Sequence, residues 1–402
     1  GLFIEEDPED DPADPDDDIL AAIHQILPTE YNVDDFPLVF QTKKFDMDTS
    51  GQMQIRSGFP GFKDDYEFMV NGIIDPFMNV PASMVRLRVL NGDGKFSFNF
   101  TIEDESGNSF PIELIATDAG YTTQSYELDE LLMAPGERTE WLLDLRSFSA
   151  GTVLYIKNKV STMPNGIIGN GPTTNNYAAD RNLLKLIVGP PSANISPIIA
   201  FPISLYPSQA PPASEVSRTR TKVFRKGVFQ DENGNDLFSI DSMLMDMTVV
   251  NDTVLLDATE IWTLDNQTNV AHPWHIHDIH FWVTEILDAS GDPLNPDDYP
   301  EIFAGPKDNV LVQPGWKLSY ITTFSDYSTP VLATNSYMFH CHILPHEDKG
   351  MMGTFVVWDG ISTSVDQEPD VASISMRIQP NPRICYTFMA VVLRKAHCVS
   401  SM

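Results

Sequence analysis

The sequence predicts an all-β protein with two consecutive β-sandwich or barrel domains. Short runs rich in β-branched and aromatic residues recur along the chain, and turns containing Gly, Pro, Asn and Asp separate them. One run, FSFNFTIED (96–104), alternates strictly between apolar and polar residues, as strands do. Regular short strands of this kind are typical of sandwiches and barrels. A proline-rich stretch between two such blocks indicates a linker.

The segments follow one another along 402 residues. Residues 1–4 are predicted to be a strand fragment and 5–33 an acidic linker. In this linker EEDPEDDPADPDDD is interpreted as a solvated tract rather than a cation-binding one, and DILAAIHQIL as a short helical turn. The first β block spans 34–190, with strands in PLVFQTKKF, MVRLRVLNG, FSFNFTIED, IELIATDAG and EWLLDLRSF. A Pro-rich linker (191–222) leads to the second β block (223–361), with strands in EIWTLDN, HFWVTEIL, NVLVQPGWKLSYITTF and GTFVVWDG, and a tail (362–402) follows.

The charge of the chain excludes several classes of partner. Its net charge is −32, with 25 basic residues against 57 acidic ones, which argues against nucleic acid or an anionic membrane surface. No apolar run approaches the ~18 residues needed to span a bilayer. The three cysteines, Cys341, Cys385 and Cys398, form no disulfide framework.

Two short stretches hold six of the nine histidines. They are HPWHIH (272–277) and YMFHCHILPHEDKGMM (337–352). Side chains alternate along a strand, so His340 and His342 would face one way and Cys341 the other. In the first stretch His275 and His277 would share a side, opposite to His272. Both stretches therefore contribute to two sites on opposite faces.

The residue types indicate the metal. The first site collects His272, Cys341, His346 and Met351, and two imidazoles, a thiolate and a weak axial thioether are the ligands of a blue-copper centre. The second site collects four imidazoles, which suit copper, zinc or iron. Zinc is the alternative, but the CxxC and HExxH spacings of zinc sites do not occur. The second site comprises His275, His277, His340 and His342.

The motif pair HPxHxH and HCHxxxHxxxxM resembles the multicopper oxidases, which include laccases, cuprous oxidases and bilirubin-oxidase-like enzymes. VNG at Val70, RLRVLN at Arg86 and APGER at Ala134 also resemble the second domain of that family. The resemblance implies tandem cupredoxin-like Greek-key β-sandwiches, of which the first here carries no copper. It further implies type 1 copper on His272, Cys341 and His346 with Met351 axial, type 2 copper on His275, and the type 3 pair on His277, His340 and His342.

The same resemblance implies the activity. A small reducing substrate, such as a phenol-like compound or a metal ion, would give single electrons to type 1 copper. Electrons would pass through Cys341 to a trinuclear copper centre that reduces O2 to water, with four coppers in the complete enzyme. Cys341 is thus one predicted catalytic residue. Glu347, which matches an acid near the trinuclear centre in bacterial members, is the other, and would help deliver protons.

The pattern departs from the family at the start of the chain. The family takes four further histidines from a first domain, whereas the other three histidines here, His24, His280 and His397, form no HxH pair. Residues 1–4 resemble the last strand of that domain, so we expect a missing N-terminal domain or a partner subunit to supply the rest. One alternative is an electron-transfer module without oxidase activity, and another is a purely structural cupredoxin pair.

Three remaining features are interpreted more simply. His280 is expected to pack or hydrogen-bond rather than bind metal, and Met243, Met245 and Met247 to face the core from a strand rather than bind a cuprous ion. The tail stretch ISMRIQPNP (374–382) resembles the start of a type IX secretion sorting domain, which predicts a secreted, periplasmic or cell-surface protein. A shifted reading frame after Pro382 would make Cys385, His397 and Cys398 accidental.

Overall fold

The computed structural model describes residues 23, 25–56, 66–170, 178–193, 197–205, 209–325, 327–328 and 336–360. The described residues belong to one compact unit that ends at Gly360. The strand fragment 1–4, the tract 5–18 and the tail 362–402 lie outside the described residues, as do His24, Cys385, His397 and Cys398. The predictions of a first-domain remnant and of a sorting sequence therefore stay predictions.

Residues 35–188 form a sandwich of two large sheets and one small hairpin. Its strands are β1 (Asp35–Lys43), β2 (Phe45–Met47), β3 (Met53–Ile55), β4 (Glu67–Val70), β5 (Ile73–Ile74), β6 (Phe77–Val80), β7 (Met84–Asn91), β8 (Phe98–Asp104), β9 (Ser109–Phe110), β10 (Ile112–Thr117), β11 (Gly120–Leu128), β12 (Leu131–Met133), β13 (Arg138–Asp144), β14 (Val153–Asn158) and β15 (Arg181–Val188). One sheet has the order β11-β10-β13-β7-β1-β4-β5 and the other β12-β8-β14-β15-β6, with β9 beside β8 and with β2 paired to β3. A 3-10 turn covers Val160–Thr162.

The alternating strand β8 shows how the first core forms. Its apolar face places Phe98 and Phe100 against Phe40 and Trp141, with ring centroids 4.8 to 6.5 Å apart. The polar face is buried as well, because Lys157 contacts Glu103 at 2.6 Å and other polar side chains cover Asn99. A strand whose polar face is covered by paired charges can lie deep in a sandwich at little cost.

Four hairpins share one turn sequence, an Asp with Gly three positions later. In each turn the Asp Oδ1 accepts the backbone N–H groups two and four residues on, and the Gly adopts a positive φ of 79° to 87°. Asp closes such a turn with its own side chain, and Gly takes the left-handed conformation without strain. The four acids are Asp48, Asp104, Asp231 and Asp288.

Residues 216–358 form a second sandwich of two five-stranded sheets. Its strands are β16 (Val216–Gln230), β17 (Asp236–Ile240), β18 (Asp252–Leu255), β19 (Thr259–Asn266), β20 (His272–Ile276), β21 (Trp282–Leu287), β22 (Asn309–Val312), β23 (Lys317–Thr323), β24 (Tyr337–Cys341) and β25 (Met352–Trp358). The orders are β17-β16-β19-β23-β21 and β18-β25-β24-β20-β22. Short α-helices cover Pro300–Phe303 and Leu344–Glu347, and 3-10 turns cover Ala213–Glu215 and Pro296–Asp298. The predicted all-β class is confirmed.

Parts of the expected linkers are packed. Strand β16 begins at Val216, inside the stretch 191–222 that was assigned to the Pro-rich linker. Ile198 and Leu205 of that stretch are buried in a small apolar cluster, together with Ile23 and Leu27 from the acidic segment. The predicted helical turn is present, since Ile23 is helical. Apolar side chains of an otherwise polar connecting segment pack against the nearest sheet face, because burial removes their surface from water.

Candidate metal centres

Two neighbouring antiparallel strands, β20 and β24, carry most of the histidines. Their register places His275 opposite His340, and Trp274 opposite Cys341. Residues directly opposite in a ladder point to the same face, and successive residues point to opposite faces. The register therefore separates the two histidines from Cys341, as the sequence predicted.

The first centre lies on the face that Cys341 shares with Trp274. The Sγ of Cys341 is 3.5 Å from Nδ1 of His272 and 3.6 Å from Nδ1 of His346. The donor atoms of these three residues all lie within 4.8 Å of one another. The ring of Phe238 covers both imidazoles, with centroids 4.8 and 4.3 Å away. One sulfur and two nitrogens thus converge in an enclosed apolar site.

The segment after β24 folds back to complete this centre. The helix Leu344–Glu347 has a proline in its first turn and turns His346 towards Cys341. Gly350 then takes φ 97°, a conformation that favours glycine, and the chain enters β25. Met351 is buried, its N–H donates to the carbonyl of His346 at 3.0 Å, and its carbonyl accepts the N–H of Cys341 at 3.1 Å. Met351 is therefore held beside both residues through its backbone.

Burial sets the protonation states of these donors. Burial raises the pKa of the Cys341 thiol and lowers the pKa of His272. Burial also lowers the pKa of His346 to about 4. The oxygen of Thr268 contacts Nε2 of His272 at 3.0 Å, so Nδ1 is the atom left for a ligand. A thiolate in such a site needs a bound cation, and a soft thiolate with two imidazoles fits copper.

The second centre lies on the opposite face and is made of four imidazoles. The ring centroids are 5.1 Å apart for His275 and His277, 5.2 Å for His275 and His340, and 5.4 Å for His277 and His340. The donor atoms of these three lie within 4.8 Å of one another. His342 adjoins them, 5.4 Å from both His275 and His340 between centroids. Neutral imidazoles gathered in this way fit one or more copper ions.

Two of these imidazoles have an oxygen atom close to Nδ1. Nδ1 of His275 donates to the carbonyl of Asp308 at 2.8 Å. Nδ1 of His340 lies 3.3 Å from both the carbonyl oxygen of Cys341 and Oε2 of Glu347, and the contact with His340 lowers the pKa of Glu347. Burial lowers the pKa of His275, and that of His342 to about 4. An oxygen partner on one ring nitrogen orients the ring and leaves the other nitrogen to bind metal.

The first sandwich closes one side of the second centre. Gly136 has φ +83°, and a Cβ atom there would lie 2.7 Å from Cδ2 and Nε2 of His342. Only glycine allows this approach. A cavity of about 440 Å³ opens beside His342 and is lined by residues of both sandwiches, including Asn91, Lys95 and Leu344. The first sandwich thus shapes the surroundings of a histidine that belongs to the second.

The structure brings most of the sequence-predicted residues together, and it corrects one expectation. His280 stays outside both clusters, with its ring 4.9 Å from that of Trp282, as expected of a packed histidine. The prediction that Met243, Met245 and Met247 face the core from a strand is wrong. They lie in a loop, with Met243 40% and Met247 61% exposed. Positive φ values at Asp241 and Ser242 end the preceding strand.

Sequence reasoning missed the residues that contact the histidines from other elements. Phe238 and Thr268 touch His272, and Asp308 touches His275. The adjacent charges of Lys307 and Asp308 just before the buried strand β22 were a usable signal, because buried charges need partners.

The two sandwiches and the two donor sets define a copper protein with tandem cupredoxin-like Greek-key β-sandwiches. A model of the multicopper oxidase family matches residues 209–360. A laccase of Haloferax volcanii is 30% identical over 346 residues, covering 83% of this chain and 54% of that protein. The multicopper oxidase Mco of Staphylococcus haemolyticus is 27% identical over 335 residues, covering 82% and 60%. The chain belongs to the multicopper oxidase family, a family of copper oxidoreductases.

Solved structures agree with this assignment. A variant of the McoA multicopper oxidase from Aquifex aeolicus superposes with a TM-score of 0.68 at 25% identity, covering 86% of this chain and 70% of that one. The chain spans somewhat more than half the length of the curated relatives it matches. Among the residues that the structure describes, every helix is too short to cross a bilayer.

Proposed function

We propose that this chain, with a further histidine-bearing domain or subunit, couples one-electron oxidation of a small reductant to the four-electron reduction of O2 to water. The observation that carries the proposal is the arrangement of the two donor sets. The set around Cys341 lies on one face of β24, and the set of four histidines lies on the other. His340 and His342 are the covalent neighbours of Cys341, so one residue of backbone joins the centres.

Each donor set has an assigned role in the proposal. His272, Cys341, His346 and Met351 would hold type 1 copper. His275 would hold type 2 copper, and His277, His340 and His342 would hold the type 3 pair. Copper bound in these sites would supply the one-electron redox chemistry and the reduction of O2. The protein keeps the imidazoles of His272 and His346 neutral by burial, packs Phe238 against both rings, and buries the thiol of Cys341.

Glu347 is proposed to hold and deliver protons. Its Oε2 lies 3.3 Å from Nδ1 of His340, and its side chain is 23% exposed, so it contacts both the second centre and solvent. Reduction of O2 to two waters consumes four protons as well as four electrons. A carboxyl group at the boundary between solvent and the site is suited to general acid catalysis. The same contact orients the ring of His340.

The remaining histidines are proposed to come from outside this chain. Four histidines form the second centre here, and the cavity of about 440 Å³ lies open beside His342. A partner surface that brought further imidazoles to this cavity would complete the centre. A histidine-bearing domain of a longer protein and a partner subunit are both compatible with this proposal.

A metal ion is a second candidate for the reductant, beside a phenol-like compound. The loop with Met243, Met245 and Met247 adjoins the segment that completes the first centre, because the N–H of Met245 donates to the carbonyl of Gly350 at 3.0 Å. Gly350 directly precedes Met351. Exposed thioethers are soft ligands that select cuprous ions. This observation favours a cuprous ion as one reductant.

Copper loading of the purified chain tests the proposal. We expect the intense blue absorption of thiolate-bound Cu(II), bleaching of this colour by a phenol or a cuprous ion, and poor O2 uptake by the chain alone. A longer natural protein that carries the further histidines should take up O2 with the same reductants. A copper-loaded chain without blue colour would contradict the assignment of Cys341.

The same measurements separate the alternatives. Strong O2 uptake by this chain alone would contradict the need for further histidines. A longer protein that turns blue and bleaches, but takes up no O2, would be an electron-transfer module. Export to the periplasm, cell surface or medium rests on the stretch 374–382, which lies outside the described residues, and it stays a prediction.

A further inference from the structure

The first sandwich has no histidine, since none occurs between His24 and His272. It nevertheless binds one segment of the second sandwich through hydrogen bonds and ion pairs. The segment runs from Pro306 to Asn309 and leads into β22. The hydroxyl of Thr117 donates to the carbonyl of Pro306 at 2.9 Å, and the amide of Asn309 donates to the carbonyl of Pro135 at 2.8 Å. Both ends of the segment are therefore fixed by the first sandwich.

Between these ends two consecutive charged side chains are paired across the sandwich boundary. The buried ammonium of Lys307 lies 3.0 Å from a carboxylate oxygen of Asp118 and 3.2 Å from one of Glu137. The guanidinium of Arg138 donates twice to Asp308, with both N–O distances 2.6 Å. Bidentate pairs of this kind set direction as well as distance. They hold the backbone of Asp308 against translation and rotation.

Asp308 in turn holds His275. Its carbonyl accepts the Nδ1–H of His275 at 2.8 Å, and its carboxylate Oδ1 lies 3.7 Å from the same nitrogen. A carbonyl oxygen can only accept, so the single ring proton of neutral His275 sits on Nδ1. The lone pair is then on Nε2, the nitrogen left to bind a metal ion.

We propose that Arg138 is a positioning residue for the metal ligand His275 and acts through Asp308. Arg138 holds the Asp308 carboxylate away from the imidazole and holds the carbonyl on Nδ1. Without the guanidinium, the freed carboxylate, which is the stronger acceptor, competes with the carbonyl for the hydrogen bond from Nδ1–H. The ring of His275 then turns out of the orientation that the carbonyl fixes, and Nε2 turns away from the other histidines of the second centre.

This role differs from that of an ion pair that only joins the sandwiches. Removal of such an ion pair would lower the stability of the chain but would leave the hydrogen bond of His275 unchanged. Arg86 supplies a control from the same sheet, because it is also paired with a carboxylate, that of Glu140 of β13, but within the first sandwich. Arg86 is buried, and the side chain of Arg138 is 32% exposed. Arg138→Gln and Arg86→Gln thus remove the same charge from the same sheet, and only the first touches Asp308.

The experiment follows the Nδ1–H group of His275 in the metal-free 402-residue chain with ¹⁵N-labelled histidine. ¹H–¹⁵N correlations detect this group, and a His275→Gln chain identifies its signal. We expect a downfield shift of the Nδ1–H proton signal in Arg138→Gln, where the stronger carboxylate acceptor replaces the carbonyl, and no shift in Arg86→Gln. Arg138→Lys, which keeps the charge, should restore part of the native signal position.

Two outcomes would overturn the proposal. One is a native Nδ1–H signal in Arg138→Gln, and the other is an equal shift in Arg86→Gln, which would show general loosening. If Arg138→Gln does not fold, Arg138→Lys is the second variant: its single ammonium cannot hold both carboxylate oxygens as the guanidinium does, so the signal should still move downfield by a smaller amount. The measurement needs no copper and no turnover, so it stands or fails apart from the proposed oxidase activity.

Discussion

Nδ1 of His272 and Sγ of Cys341 lie 3.5 Å apart, although 69 residues separate them in the chain. The antiparallel pair of β20 and β24 produces this contact, because Trp274 opposite Cys341 fixes the register. His272 is two residues before Trp274 and so faces the same side. The thiol and the imidazole therefore meet as a direct consequence of strand pairing, before any metal binds.

Replacing the thiol should abolish the first centre and leave the second. Cys341→Ser keeps nearly the same size, but a hydroxyl is a hard, weakly acidic ligand that cannot supply a soft thiolate. We expect no blue absorption and no oxidation of a reductant by the complete protein. The imidazoles of His275, His277 and His340 should still bind metal, as copper analysis and EPR of the non-blue signal would show. A serine variant that remained blue would remove Cys341 from the ligand set.

The close approach of Gly136 to His342 predicts a second effect. A Cβ at this position would lie 2.7 Å from two ring atoms of His342, so Gly136→Ala must displace the imidazole. The backbone strain of alanine at φ +83° adds a cost on the order of 1 kcal/mol. We expect lower metal occupancy of the second centre, with the blue absorption of the first centre retained.

A turn glycine provides the control for this experiment. Gly107 has φ +84°, and a Cβ there would meet nothing within 4 Å. Gly107→Ala therefore carries the same backbone strain without the contact with His342. Urea unfolding should show a loss of stability in both variants, larger in Gly136→Ala because its Cβ also meets His342 and Asn309, whereas metal occupancy should fall only in Gly136→Ala. Equal occupancy in the two variants would mean that the first sandwich does not constrain His342.

The donor sets could be predicted because short motifs contain most of the ligands. In HPWHIH and in HCH, alternation along a strand assigns each side chain to a face, and the structure keeps both stretches extended up to Ile276 and Cys341. The all-β class followed from the same alternation. These features depend on residues close in sequence, so local patterns are sufficient for them.

The contacts that orient the ligands could not be predicted in the same way. Asp308 and Phe238 come from elements far from the histidines in sequence, and their residue types are common in any sandwich. The methionines at 243, 245 and 247 show that a local pattern can also predict the wrong structure. Their spacing of two imitates a strand, but positive φ at Asp241 and Ser242 turns the chain into a loop. Spacing alone does not report backbone conformation.

A buried carboxyl group away from the metal centres predicts a pH dependence of stability. Burial raises the pKa of Glu301 to about 7, and the group borders a cavity of about 400 Å³ between the sandwiches, near Glu137 and Trp316. The folded chain binds this proton more tightly than the unfolded chain, whose model value is 4.5. The stabilisation is therefore complete below pH 4.5 and is lost as the pH rises through 7.

Glu301→Gln should remove that dependence, because its neutral amide mimics the protonated acid. We expect the free energy of unfolding of the variant, relative to the native chain, to rise between pH 4.5 and 8 by up to about 3 kcal/mol. Urea unfolding at several pH values measures this difference. Glu232→Gln, at an exposed hairpin, should show no such trend. A constant difference across pH would mean that Glu301 is ionised in the folded chain.

The contact between Glu347 and His340 leads to the last prediction, made for the complete protein with its further histidines. Glu347→Gln keeps the size of the side chain, and its amide oxygen can still accept from Nδ1 of His340, 3.3 Å away in the native chain. The amide cannot hold and release a proton. Copper content, blue absorption and the rate at which a reductant bleaches the blue colour should therefore stay normal.

Steady-state O2 uptake by this variant should fall by a factor on the order of 10² if Glu347 acts as other positioned acids do. Oxygen uptake against pH, alongside stopped-flow bleaching, separates proton delivery from electron entry. Asp348→Asn is the matched control, since Asp348 is the adjacent acid in the chain and is exposed. Unchanged uptake across pH would make Glu347 an ordinary surface carboxylate, whereas loss of copper would show that it mainly holds His340 in place.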